Sequence, residues 1–312
     1  QNKMLEVLSR KEKWTVFHPP SRPIIGEDGV FEIFSDWDNR ELPPGVSVDI
    51  PEIKWNNLGS NPLVSIYIPA FNCEDYIIDC IDSALGQSYP NFEVCVHNDG
   101  STDNTLRKIK RRYGKNPRVK ISSGENGGIG HASNKAIENS SGDLLLQLDS
   151  DDVLKETSVE DLVKIMRDDL VCCYGNFERI SQEGEKIDDG WEWPNYSFPR
   201  LMKSMIVHPP RLFRKEAWKM VGGHNVELEN AVDYDFFMRI GELGKMAHLR
   251  KTLYSYRIHQ SSTSQKQTRI QTDNTSIVQK EMIKRKGITN YTIHAPNPKN
   301  PRRIEYIEKS FI

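Results

Sequence analysis

The chain has 312 residues, 37% of them apolar and 28% charged, and its 42 basic and 44 acidic side chains leave a formal net charge of −2. This is the composition of a soluble globular protein, not of a disordered, collagen-like or disulfide-dense one, and the missing basic excess argues against a nucleic-acid partner. No apolar run approaches the roughly 20 residues a membrane helix needs, and the opening QNKMLEVLSRKEKW lacks the apolar centre of a signal peptide.

Residues 1–60 carry turn signals at HPPSRP, GEDG and ELPPG and predict an irregular lead-in or linker; the start is not initiator-like, as expected of a piece of a longer protein. LVSIYI then reads as a strand buried on both faces, ending at Pro69. A helix follows, with Tyr76, Ile77, Cys80, Ile81, Ala84 and Leu85 at helical spacing. FEVCVH (92–97) is a second strand, and Asp103 is placed to cap a helix containing residues 107–113. RVKIS (118–122) is a third strand, ENGGIGHASN leads into a short helix, and GDLLLQLD (142–149) is a fourth strand. This alternation predicts an α/β fold with a mostly parallel, right-handed sheet. Further on, helices are expected near 158–168 and 232–243 and strands at VCCYGNFERI and MAHLRKTLYSYRIH. Residues 266–312 carry ten Lys/Arg against four Asp/Glu and form a basic extension. The five cysteines, an odd number without a CxxC pair, fit buried thiols in a reducing cytoplasm better than a zinc site.

Ligands of open parallel sheets bind beyond the carboxyl ends of the strands. Three polar loops fall there: Pro69 to Asn72, Asn98 to Asp103, and Asp149 to Asp152. NDGSTD alone is read as easily as a turn and helix cap, but its recurrence with the other two at successive strand ends points to a pocket. In LDSDD, Asp149 and Asp151 can point the same way and suit a hard cation such as Mg²⁺ or Mn²⁺; a capping turn is the competing reading. Gly127, Gly128 and Gly130 fit neither a dinucleotide fingerprint nor a P-loop, so ENGGIGHASN borders the pocket, with Asn126 and Asn134 structural. Asp233 is a candidate general base and Asp235 a helix-dipole partner. His259 is either a nitrogen ligand or structural, and Trp191 and Trp193 either stack on a sugar or fill the core. The run 107–120, with eight Lys/Arg and no acid, is a solvated helix face, or a grip on a polyanion or an acidic membrane.

VSIYIPAFN, NDGSTDNT, NGGIGHASNKA, LDSDD and ENAVDYDFF, in this order, resemble the inverting family 2 nucleotide-sugar glycosyltransferases with the GT-A fold. WEWPN, MIVHPPRLF and AVDYD are similar to the second transferase domain of bacterial chondroitin- and hyaluronan-type polymerases. The resemblance covers about 61–262 and implies a GT-A domain over 61–265, a Rossmann-like, mostly parallel sheet with a nucleotide-binding half and an acceptor-binding half. It implies that Asp99 contacts uracil, with Pro69, Phe71 and Asn72 around base and ribose. Asp149 and Ser150 lie at the ribose and diphosphate, Asp151 and His259 hold Mn²⁺ (or Mg²⁺), and Asp233 is the base. Ser133 stands where many members have arginine, a mark shared with the synthase-like subgroup.

The expected activity is metal-dependent transfer of a sugar, glucuronate by the subgroup resemblance, from a UDP-sugar donor to the non-reducing end of a glycosaminoglycan-like capsular polysaccharide acceptor. Arg211, Arg214 and His208 are candidates for the cation facing a uronate carboxylate. UDP-GalNAc or UDP-GlcNAc is the rival donor. A sugar nucleotidyltransferase and a non-catalytic UDP- or polysaccharide-binding module are the rivals of another class. The expected location is cytoplasmic, with peripheral contact to the membrane or the capsule machinery.

Overall fold

The computed structural model describes residues 51, 53–191, 196–259, 268–287, 291–293 and 307–309. Residues 1–50, most of 260–312 and Trp193 therefore lie outside the described residues. Strands β1 (Val64–Ala70), β2 (Phe92–Asp99), β3 (Val119–Gly124) and β4 (Leu144–Gln147) are parallel, joined through helices α1 (Ile77–Leu85), α2 (Thr105–Tyr113) and α3 (Gly128–Glu138). After them come β5 (Val153–Leu154), α4 (Ser158–Ile165), β6 (Leu170–Ile180), β7 (Lys186–Asp188), α5 (Phe198–Lys203), β8 (Arg211–Arg214), α6 (Lys215–Met220), α7 (Val232–Gly241), β9 (Lys245–Arg257) and α8 (Thr268–Arg285). The sheet runs β3-β2-β1-β4-β8-β6-β9-β5, with β7 on β6. A small hairpin, β10 (Tyr291–Ile293) with β11 (Ile307–Lys309), stands apart from it.

Alternation along each buried strand divides the core in two. On one face Ile66, Ile68, Val94 and Val96 pack with Ile77 and Ile81 of α1, Ile109 of α2 and Leu162 of α4. On the other, Tyr67, Leu145 and Phe213 pack with Ala136 of α3, Phe236 of α7 and Met282 of α8. Burying each such large side chain contributes roughly 1.5–3 kcal/mol. The basic run behaves as a solvated face: Ile109 and Tyr113 are buried, while Arg107, Lys110, Arg111 and Arg112 are exposed. All five cysteines are buried and unpaired.

Several boundaries differ from expectation for identifiable reasons. β1 does not stop at Pro69 but continues to Ala70, because pairing with β4 ends at Tyr67 and no ladder bond is asked of the proline nitrogen. β2 runs on through Asn98 and Asp99 because β3 pairs with both. Asp103 sits one residue ahead of the capping position, Asn104, accepting from Thr105 N at 2.9 Å and from Glu74 N at 3.1 Å, so it ties two loops together as well as opening α2. β8 went unnoticed in the sequence. It pairs antiparallel with both β4 and β6, the one reversed strand in the middle of the sheet. Among the described residues no helix is long and apolar enough to cross a membrane.

Candidate active site

The parallel strands bring their polar loops to one edge, as expected. Asn72 (φ 46°) closes the turn after β1; its Oδ1 accepts from Thr102 N at 2.8 Å, and its own N donates to Ser101 Oγ at 3.0 Å. The PAFN and NDGST loops are thereby held together. Phe71 exposes its ring beside them, whereas Pro69 is buried inside β1 opposite His97.

Asp99 is buried, and the glycine loop folds over its carboxylate. Oδ1 and Oδ2 accept from Gly127 N at 3.1 and 3.2 Å, Oδ2 accepts from Gly128 N at 2.9 Å, and His131 Nδ1 lies 3.1 Å from Oδ1. A Cβ on Gly127 would meet the His131 ring at 2.4 Å, so only glycine admits this wrap. Asn126 Nδ2 donates to Asp99 O at 3.0 Å, the structural role expected of it. Asn134 is structural too: it donates to His224 O at 2.9 Å and accepts from His224 N at 2.8 Å and Trp218 Nε1 at 3.1 Å. His97, Asp99 and His131 bring three potential ligand atoms within 4.8 Å of one another.

Beyond β4 a cavity of about 470 Å³ opens, lined by Asp149, Arg211, Asp233, Trp191, Tyr256 and His208 among others. Asp149 Oδ1 accepts from Gln147 Nε2 at 2.9 Å; burial, and next the charge of Asp151, push its pKa up to about 6. Asp233 begins α7 just after Ala231, whose φ of 60° turns the chain into the helix. Its Oδ2 takes the Arg211 Nη2 donor at 2.9 Å. Arg211 is oriented in turn by Val207 O at 2.7 Å. Asp235, by contrast, is a structural partner of Arg239, which donates to Val221 O and Gly223 O at 2.8 Å each.

Beside the cavity Asp151 and His259 meet, Oδ2 to Nε2 at 2.8 Å. A carboxylate and an imidazole converging on one point, 108 residues apart in sequence, are a donor pair that would suit a divalent cation. The turn carrying them is anchored by residues the sequence did not single out. Tyr254 OH accepts from Asp149 N at 3.1 Å and donates to Asp152 Oδ2 at 2.8 Å, while Arg257 donates through N to Asp152 Oδ1 at 2.7 Å and through Nε to Asp151 O at 2.8 Å. Asp152 is thus a strut rather than a ligand.

Two of the three cations proposed for a uronate are corrected. Arg214 is 1% exposed and spends its guanidinium on Leu170 O, Asn56 O and Arg167 O at 2.8, 2.8 and 3.2 Å. It pairs with Leu144, at the opposite edge of the sheet from the cavity. His208 lines the cavity, but burial drives its pKa down to about 3, so it is neutral and accepts from Trp191 Nε1 at 3.2 Å. Arg211 remains. Trp191, half exposed, stands edge-on to Phe177 in the cavity wall. Gln271 and Thr275 of α8 also line the cavity, a contribution no motif announced.

A Rossmann-like half ending in carboxylates, a reversed strand after β4, and a cavity shared with the second half together define a GT-A glycosyltransferase domain. The profile of the family described as glycosyl transferase family 2 matches residues 65–221, and the chain belongs to that family. It is 44% identical over 254 residues to a hyaluronan synthase of Pasteurella multocida, covering 81% of this chain and 26% of that protein. It is 43% identical over 232 residues to a chondroitin synthase of Escherichia coli, covering 74% and 34%. The chain therefore spans about a quarter to a third of the length of these curated relatives. S. aureus TarS 1–349 in complex with UDP-GlcNAc superposes with a TM-score of 0.58 at 23% identity, covering 70% of this chain and 66% of that chain, which shows the shared fold.

Proposed function

We propose that this domain is an inverting, metal-dependent transferase that moves glucuronate from UDP-glucuronate to the non-reducing end of a glycosaminoglycan-like chain. The observation that carries the reading is the convergence of Asp149, Asp233 and Arg211 on one cavity, with the Asp151–His259 pair beside it. Asp99 reads the base: three donors occupy its carboxylate, against about four lone-pair sites, leaving one for a base N–H. Phe71 and Asn72 flank base and ribose, and Ser150 and Asp149 border the diphosphate. Asp151 and His259 would hold Mn²⁺ or Mg²⁺, which supplies charge neutralisation for the departing diphosphate. Asp233, oriented by Arg211, takes the proton of the attacking hydroxyl as the anomeric carbon inverts. The similarity to hyaluronan and chondroitin synthases supports a polysaccharide acceptor.

Arg211 is the one cationic side chain of the described cavity lining at neutral pH, and it is the group available to a uronate carboxylate. Its engagement with Asp233 is also the observation that keeps a UDP-N-acetylhexosamine donor as the second reading. Incubating the chain with radiolabelled UDP-glucuronate, UDP-GlcNAc or UDP-GalNAc and a defined short acceptor decides between them. Transfer from UDP-glucuronate alone is expected. Transfer only from a hexosamine donor replaces the donor assignment, and UDP binding without turnover of any donor removes the transferase reading.

A further inference from the structure

Helix α8 lies outside the segment matched by the family profile, yet it closes part of the cavity holding Asp233. Its seat is fixed from several directions. Val278, Met282 and Ile283 are buried in the same core cluster as Phe236 and Phe237 of α7. Gln279 Nε2 donates to Tyr234 OH at 3.2 Å, and Asn274 Nδ2 donates to Asn230 O at 3.2 Å. The helix is thus tied on either side of Asp233, at 230 and at 234. Helical spacing sets Gln271 and Thr275 on the stripe of Val278, and both reach the cavity.

Thr275 spends its hydroxyl on Gln271 O at 2.7 Å. The side-chain oxygen of Gln271 is shielded from solvent and, among the described residues, accepts no hydrogen bond. A shielded amide oxygen is costly without a donor, and native structures leave few unmatched. What would match it is a ligand O–H or amide N–H, groups that a hexosamine carries around its ring. The half-exposed Trp191 and the ring of Tyr256 line the same space and offer apolar faces on which a sugar can stack. Nucleotide and diphosphate are assigned to Asp99, Asp149 and Asp151, whereas Gln271 rides on the element braced against α7, which bears the base.

We infer that Gln271 is an acceptor-reading residue, its Oε1 accepting a hydrogen bond from a hydroxyl or acetamido N–H of the terminal acceptor sugar beside the hydroxyl that Asp233 deprotonates. The inference rests on the transferase reading for the identity of that sugar, but its test does not require turnover. Binding of a hexosamine-terminated glycosaminoglycan hexasaccharide to the whole chain is measured calorimetrically, and UDP binding is measured in parallel, for wild type, Gln271→Met and Gln271→Glu. Gln271→Met should weaken hexasaccharide binding about tenfold with UDP affinity within about twofold, while Gln271→Glu, which keeps an acceptor oxygen, stays within about threefold of wild type. In turnover, the acceptor KM should rise in Gln271→Met. Wild-type hexasaccharide affinity in Gln271→Met, an equal loss of UDP affinity, or no hexasaccharide binding by the wild type overturns the inference. A wild type that binds both ligands but transfers no sugar overturns the transferase reading alone.

Discussion

Arg211 Nη2 and Asp233 Oδ2 stand 2.9 Å apart at the floor of the cavity, with Arg211 about 4% exposed and Asp233 open to the cavity. The guanidinium, itself pinned by Val207 O, fixes where the carboxylate points. Asp233→Asn should therefore lower kcat by about 10²–10⁴-fold with little change in the KM for the UDP-sugar. Arg211→Gln should lower kcat as well, because the carboxylate loses its orienting partner, and should raise the KM for UDP-glucuronate more than that for a neutral UDP-sugar. Steady-state kinetics with both donors checks both effects.

Asp151 and His259 are expected to act as one binding unit. Chelation should abolish transfer, and added Mn²⁺ or Mg²⁺ should restore it. Asp151→Asn and His259→Gln should each weaken Mn²⁺ binding, read directly by electron paramagnetic resonance in the presence of UDP. Equal Mn²⁺ affinity in wild type and both variants would count against the pair as the metal site.

His224 lies stacked on Phe236, ring centroids 4.1 Å apart, and among the described residues neither ring nitrogen has a hydrogen-bond partner. Burial pushes its pKa down to about 3, and those of His208 and His248 down to about 3 and about 4. The unfolded chain binds protons at these sites below pH 6.5 and the folded chain does not, so stability is lost as pH falls from about 6.5 towards 3–4. His224→Phe should be at least as stable as wild type at pH 7, and its advantage should grow as the pH is lowered to 5. Urea melts at the two pH values measure it.

Asn134 joins α3 to α6 by one hydrogen bond and to the turn after it by two, and Gly223 (φ 80°) approaches it so closely that an added Cβ would meet Asn134 Oδ1 at 2.8 Å. Asn134→Ala should cost about 1–3 kcal/mol by stranding the indole N–H of Trp218 and the backbone of His224. Gly223→Ala should destabilise at the same joint through its backbone conformation. Thermal melts of the single and double variants should show less than additive losses.

The first half was legible because its signals are local: continuous apolar runs mark the strands, and LDSDD follows one of them directly. The second half was less legible, because its site residues come together by register rather than by motif. Arg211 and Arg214 lie three apart in RLFR, and nothing local says which reaches the cavity. The pairing of Leu144 with Arg214 and of Leu146 with Leu212 decides it, leaving Arg211 at the Gln147 end. His259 stood out only as a histidine at the end of a strand, equally readable as structural, and no spacing links it to Asp151, 108 residues away. Gln271 gave no signal, because a polar residue in a basic, weakly patterned segment looks like any solvated position until the helix is docked.

Strand β8 has a consequence of its own. Running against its neighbours, it presents its first residue at the end where β4 presents its last, so a cationic group arrives among acids while seated inside a ladder rather than on a loop. Insertions in the turns around the mouth would reshape entry without displacing that positive charge. Sliding β8 by two positions would remove it altogether, which makes backbone pairing in the sheet's interior, rather than loop composition, the feature that preserves the floor of the cleft.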